Sequence, residues 1–150
     1  MSDNYLKLVP VDTSFVPAPE AQSAAASLLR RLAPHADDVS ATASDDVEFI
    51  DCGSNWSGVR CPHCAEVLDE WWPDAMASAA STAFSNLDVV LPCCARTATL
   101  TELDYIWPVH FGRFVLQARN AGIEGQMPAD HVLELESLLG CPLLVVLAHY

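Results

Sequence analysis

The stretch GRFVLQAR, residues 112–119, alternates Phe114, Leu116 and Ala118 against Arg113, Gln117 and Arg119. A period of two marks a strand with one buried face. After the loop NAGIEGQ (120–126) comes PADHVLELESLLG (128–140), which reads as a helix. Pro128 opens it, Val132, Leu135, Leu138 and Leu139 form its inner side, and Gly140 stops it. PLLVVLA (142–148) is a nearly continuous apolar run, expected to be a buried strand, with a homodimer interface as its second reading. The N-terminal part uses the same grammar. YLKLVPV (5–11) predicts a strand with Leu6 and Leu8 on one face. Ala21, Ala24, Ala25, Leu28 and Leu32 then recur at helical spacing over 20–32, with Pro19 in the first turn and Pro34 as the stop. HADDVSATASDD (35–46) reads as an acidic surface loop, and VEFID (47–51) as a short strand with Val47 and Phe49 on one side.

With residues 52–111 set aside, the order is β-α-β followed by β-α-β. This order resembles the ferredoxin-like superfold, the split βαβ arrangement. The resemblance implies an α+β sandwich: a four-stranded antiparallel sheet with two helices on one face. The whole chain, 1–150, is then one domain, with an insertion at about 52–111 between its halves. An architecture so widely reused carries no function by itself.

The insertion is expected to be helical and to bind a metal. CPHC (61–64) is followed by AEVLDEWW, expected to be a short helix ended by Pro73. DAMASAASTAFSNL (74–87) is expected to be a second helix, with Asp74 as N-cap and Met76, Ala79, Ala80 and Phe84 at core spacing. DVVL (88–91) is a strand leading into Pro92 and the adjacent Cys93 and Cys94, and Thr99 with Glu102 fits a capping box.

Six cysteines divide into a clustered set, Cys61, Cys64, Cys93 and Cys94, and two that stand apart, Cys52 and Cys141. Clustered cysteines in a chain without a visible secretory signal point to metal rather than to disulfides. Zinc in a structural role takes thiolates in a closed tetrahedron, and C-x-x-C suits it because one tight turn presents two sulfurs. CPHCA resembles a zinc-ribbon knuckle, CPxC followed by a small residue. The chain as a whole looks like small bacterial zinc-binding proteins with CPxC and CC pairs. A ribbon would supply a second C-x-x-C, whereas this chain has Cys93 and Cys94 side by side. Cys52 or His110 are the substitutes should one of them fail to bind, while His63 should point away from the ion. No HExxH, no three-histidine group and no H-x-E ahead of P-C-x-x-C supplies the base and open position that catalytic zinc needs. The expected role of the zinc is structural.

Few other residues suggest chemistry. Asp51, Cys52, Ser54 and Asn55 in DCGSNW would line a pocket with Cys52 as nucleophile, though a turn explains the same composition. Tyr105, Trp107, His110 and Phe111, with Asp104 and Arg113, read as packing for the insertion or as an interface. Trp71 and Trp72 cannot both point inward from one turn of helix, and neither His131 nor the final His149 and Tyr150 indicates a site. No glycine-rich phosphate loop or nucleophile elbow is present.

Composition sets the outer bounds. The chain has 150 residues, 51% of them apolar, enough for a core, and a mean hydropathy of +0.21. No apolar run reaches the length of a spanning helix, and MSDNYLKLVP lacks a basic region followed by an apolar one, so the expectation is a cytoplasmic protein that binds no membrane. Twenty acids against seven bases give a net charge of −13, which repels phosphate backbones and anionic lipid. Nucleic-acid binding is excluded on that ground. The same charge favours a basic protein partner, as for an antagonist or immunity-type protein, while solubility alone is the plain alternative explanation of it. The competing expectation is a thiol redox protein or small hydrolase using Cys52 and His110 or the CPHC pair.

Overall fold

The alternating stretch becomes the longest strand of the C-terminal half in the computed structural model, which describes residues 2–122 and 127–150. In chain order the main elements are β1 (Asn4–Pro10), α1 (Pro19–Leu32), β2 (Asp38–Ile50), β3 (Val59–Arg60), α2 (Trp72–Ala80), β4 (Asp88–Val90), β5 (Thr97–Thr99), β6 (Asp104–Tyr105), β7 (His110–Arg119), α3 (Ala129–Leu139) and β8 (Leu143–His149). A 3-10 turn at Leu100–Glu102 lies between β5 and β6. Four strands form one sheet in the order β2-β7-β1-β8, antiparallel at every junction, and β3 with β6 and β4 with β5 form two small sheets. Among the described residues, no helix is long and apolar enough to cross a membrane.

β1 lies inside the sheet, and its alternation sorts the two faces. Leu6 and Leu8 meet Phe114, Leu116 and Ala118 of β7 beneath α1 and α3. Leu29 and Leu135, fully buried, anchor the two helices there. The helical faces are slightly rotated from expectation: Ala25, Ala26, Leu28 and Leu29 are the buried set of α1, whereas Ala24 is exposed. In α3 Leu135 and Leu139 are buried and Leu138 is exposed. Gly140 ends α3 in the left-handed conformation, at φ 78°, which costs glycine nothing.

Three expectations need correction. The acidic stretch 35–46 is not a loop, because β2 runs through it from Asp38 to Ile50. An edge strand needs only one packed face, supplied here by Val39 and Ala41 beside α1, and its acids stay in solvent. The register slips between Ala43 and Glu48, so the strand absorbs a bulge rather than breaking. The apolar run 142–148 is an edge strand paired only with β1, and its residues are mostly half-buried. It is apolar on both faces because Leu143, Val145 and Leu147 pack toward the helices. Val146 and Leu144 join Val9, Ile50, Cys52 and Val109 on the opposite face. Finally, residues 65–71 are not helical, and Pro73 sits in the first turn of α2 with Trp71 as its N-cap in place of Asp74. Of the expected loop 120–126, residues 123–126 lie outside the described residues.

The outer edge of β8 is covered by the chain leaving β2. His149 N–H donates to Cys52 O (3.2 Å), Ser54 N–H to His149 O (2.8 Å) and the Asn55 amide to Leu147 O (3.0 Å). Leu143 N–H, on the same edge, is taken by the Glu136 carboxylate at 2.7 Å. Gly53 makes this approach with φ 60°, and a Cβ there would collide with the His149 carbonyl. Gly53→Ala should therefore lose roughly 3 kcal/mol or more of stability in urea unfolding, combining left-handed strain with the backbone clash. A loss under about 0.5 kcal/mol would show that the edge seal is dispensable.

Candidate metal centre

Each cysteine pair sits in the turn of a short hairpin, and the two turns share one backbone pattern. In the first, Cys61 N–H donates to Glu66 O (2.9 Å) and Ala65 N–H to Cys61 O (3.0 Å). In the second, Leu91 N–H donates to Arg96 O and Ala95 N–H to Leu91 O, both at 2.9 Å. Ala65 (φ 63°) and Ala95 (φ 60°) occupy the same left-handed position. CPHCAE therefore corresponds residue by residue to LPCCAR. Pro62 matches Pro92 and Cys64 matches Cys94, while Leu91 stands where Cys61 stands and Cys93 takes the place of His63. The first turn also explains why no helix follows CPHC. Leu68 N–H returns to Val59 O (2.9 Å), carrying the chain back along β3.

The two turns bring Cys61, Cys64, Cys93 and Cys94 together, with all four sulfurs within 4.8 Å of one another. Cys61 and Cys94 Sγ are 3.9 Å apart and Cys64 and Cys93 Sγ 3.3 Å, and all four are free thiols. A tetrahedron with metal–sulfur bonds of about 2.3 Å has edges of about 3.8 Å, so the set fits a four-coordinate ion such as zinc. Cys52 and His110 lie outside this group.

The four sulfurs are not equivalent. Cys61 is buried and accepts N–H bonds from His63 (3.3 Å) and Cys64 (3.5 Å). Burial pushes its pKa up, but those N–H bonds and the neighbouring thiols outweigh it and hold Cys61 down at about 7. Desolvation and bonds to the other three thiols push Cys93 up to about 12. Cys64 and Cys93 are exposed and Cys94 half-buried, so the centre has an inner and an outer side. Beneath it lies a separate apolar cluster built on Val59, Leu68, Leu91, Leu100 and Phe111. Trp72 stacks against Trp56 (4.5 Å between ring centres) and donates to the Tyr105 hydroxyl (3.2 Å), which donates to Leu100 O. The expected packing role thus holds for Tyr105 and Phe111, while Trp107 stays partly exposed. Thr99 makes no capping bond to the turn it precedes, and its hydroxyl pairs with Thr101 instead.

The remaining sequence candidates are occupied otherwise. His110 is buried, its Nε2 3.1 Å from both Pro10 O and Val11 O and its Nδ1 without a partner among the described residues. Desolvation lowers its pKa, and because both partners are carbonyl oxygens Nε2–H is the donor. Cys52 is buried, with its pKa raised by desolvation. Asp51 belongs to a contact no sequence pattern announced. The buried Lys7 ammonium reaches Asp51 O (3.0 Å), the Tyr150 hydroxyl (2.7 Å) and the Asp51 carboxylate (3.6 Å). Tyr150 in turn donates to Asp51 (2.8 Å). His149 pairs with Asn4 at 2.7 Å. Comparison with family models, curated proteins and solved structures finds no match, so the class rests on geometry: an α+β chain with a tetracysteine cluster suited to metal.

Correspondence of the turns has two consequences. Leu91→Cys should restore metal binding to Cys93→Ser, because the new thiol takes the position Cys61 holds in the first turn. Recovery of bound metal by elemental analysis is the expected result, and continued loss in the double variant would break the correspondence. Ala65→Gly and Ala95→Gly should each raise unfolding stability by about 0.5–1 kcal/mol, since left-handed backbone strains alanine but not glycine.

Proposed function

We propose that this is a non-enzymatic, zinc-stabilised protein-binding module of ferredoxin-like architecture. Cys61, Cys64, Cys93 and Cys94 would hold one structural Zn2+, and the segment between β2 and β7 would present a basic partner with an acidic face. The observation that carries the reading is the convergence of four sulfurs. Four thiolates complete the coordination sphere of zinc and leave no position for a substrate. Strands of two or three residues do not hold a lobe together unaided, and metal binding would be coupled to its folding.

Support for a basic partner comes from charge and shape. Residues 52–109 carry seven acids (Glu66, Asp69, Glu70, Asp74, Asp88, Glu102, Asp104) and two bases (Arg60, Arg96). A hollow beside the metal centre is lined by Glu66, Val67, Glu70, Trp71, Pro92 and Cys93. Val67 is 60% exposed there, an apolar contact set among carboxylates. Aromatic and aliphatic anchors ringed by charge suit a Lys/Arg-rich segment with one bulky residue. The competing redox or hydrolytic reading has less support: Cys52 is sealed from solvent and His110 is tied to two carbonyls.

Elemental analysis of purified protein should find one zinc per chain. Stripping it with a chelator should shift the fluorescence of Trp56 and Trp72 to the red as their cluster opens. A metal-free protein with an unchanged spectrum would remove the reading. Selection from a peptide display library should enrich basic sequences, with affinity falling at least about tenfold between low and physiological salt. Enrichment of acidic or neutral sequences would contradict the assigned partner.

A further inference from the structure

The division of the sulfurs into an inner and an outer pair carries a consequence beyond structural support. Cys61 and Cys94 are the less exposed two, and Cys61 has two N–H donors that would hold its sulfur on an ion. Cys64 and Cys93 are both exposed, lie 3.3 Å apart, and receive no backbone N–H bond at sulfur among the described residues. Cys93 also borders a hollow of about 590 Å³, through which a small molecule reaches it from solvent. Its exposed position follows from the leucine at 91: the second turn gives its buried first place to an apolar side chain and takes its ligand from the tip instead.

We propose that Cys64 and Cys93 form a peroxide-sensitive outer pair whose oxidation opens the metal centre. This rests on the zinc reading above. The Cys93 sulfur, which would be deprotonated as a zinc ligand, attacks one oxygen of hydrogen peroxide, the O–O bond breaks, and the departing hydroxide takes a proton from solvent to leave as water. Cys93 is then a sulfenic acid. The Cys64 thiolate attacks that sulfur, the S–S bond forms, the S–O bond breaks, and a second protonated hydroxide leaves as water. Two thiolates have lost two electrons and one peroxide has gained two. An ion left with Cys61 and Cys94 alone lacks half of its closed shell and is released. The surrounding carboxylates of Glu66, Asp69 and Glu70 select among oxidants and reductants by charge. Neutral peroxide enters freely, whereas anionic agents such as glutathione are repelled.

The test uses the whole zinc-loaded protein, titrated with hydrogen peroxide in the presence of a chromogenic zinc chelator, followed by alkylation and peptide mapping. The expected result is release of about one zinc per peroxide consumed, a Cys64–Cys93 disulfide as the main product, and Cys61 and Cys94 recovered alkylated. A neutral dithiol reductant plus zinc should restore the starting state. Predominant Cys61–Cys64 or Cys93–Cys94 disulfide, or zinc retained under excess peroxide, overturns the inference while leaving the structural zinc intact. Protein isolated without zinc overturns the zinc reading itself. Cys93→His keeps a ligand and removes the attacking thiol, so its release of zinc by peroxide should slow at least about tenfold. An unchanged release rate in that variant would overturn the role given to Cys93.

Discussion

Two hairpin turns place four sulfurs within one ion's reach, and the part of the chain between β2 and β7 is built around that placement. Its strands are two or three residues long and its one α-helix has nine. Such pieces bury too little to be stable separately. What they do bury is gathered directly under the sulfurs: Leu91 and Leu100 are fully buried and Cys61 itself belongs to the cluster. Phe111 links this lobe to the large sheet. It lies on β7, is fully buried, and packs between Phe49 of β2 and Phe84 after α2, with ring centres 5.3 and 5.6 Å away. Aromatic contacts of this kind add about 0.5–1.5 kcal/mol each beyond their buried area. An ion on the sulfurs would fix the inside of the lobe, and the phenylalanines fix its place on the sheet.

A second attachment works by charge. Lys7 projects from the middle of β1 on the face away from the helices, where a lone ammonium would be costly to bury. Desolvation lowers its pKa, and the Asp51 carboxylate opposes that shift. Asp51 is held below the ordinary carboxylate range although burial pushes it up, because Tyr150, Lys7 and the Gly53 N–H all favour its charged form. Lys7 is the buried member, whereas Asp51 and Tyr150 stay partly in solvent, so removing Asp51 would strand the ammonium and the contact serves geometry more than stability. Asp51 is the last residue before Cys52 and the edge seal on β8, so the contact sets the direction in which the chain leaves the sheet.

Strands β1, β7 and β8 and helices α1 and α3 are legible because their signals are local, whereas the helix expected over 74–87 ends at Ala80, before left-handed Ala83 and Phe84. Period two in 112–119 and helical spacing in 20–32 and 128–139 each report one buried face, and the observed elements agree within one or two residues. β2 was hidden because acids on an edge strand look like acids in a loop, and only pairing with β7 distinguishes them. The four cysteines are legible as a group, but the adjacency of Cys93 and Cys94, where a ribbon has a second C-x-x-C, hides their arrangement. The signal that would have revealed it is the repeat of CPHCA in LPCCA, where proline and alanine recur in step and leucine replaces the first cysteine. The contact of Lys7 with Tyr150 joins residues 143 positions apart, and no local pattern encodes it.

Charge ties the proposed metal to the proposed partner. Four neutral thiols contribute nothing to the lobe's field, whereas four thiolates around a divalent ion leave two net negative charges. Loading with zinc would therefore deepen the negative potential of a segment that already has five more acids than bases, seven against two. Those charges would be shared by the four sulfurs, of which Cys93 borders the hollow that Glu66 and Glu70 line. A cationic segment docked there gains attraction on metal loading. By reciprocity, the docked segment holds the thiolate form, and with it the ion, more tightly. The acidic composition that looks at first like a device for solubility then has a local meaning. It makes an unpartnered metal centre the less stable one, since the same carboxylates that attract a basic chain repel the thiolates beside them until that chain arrives.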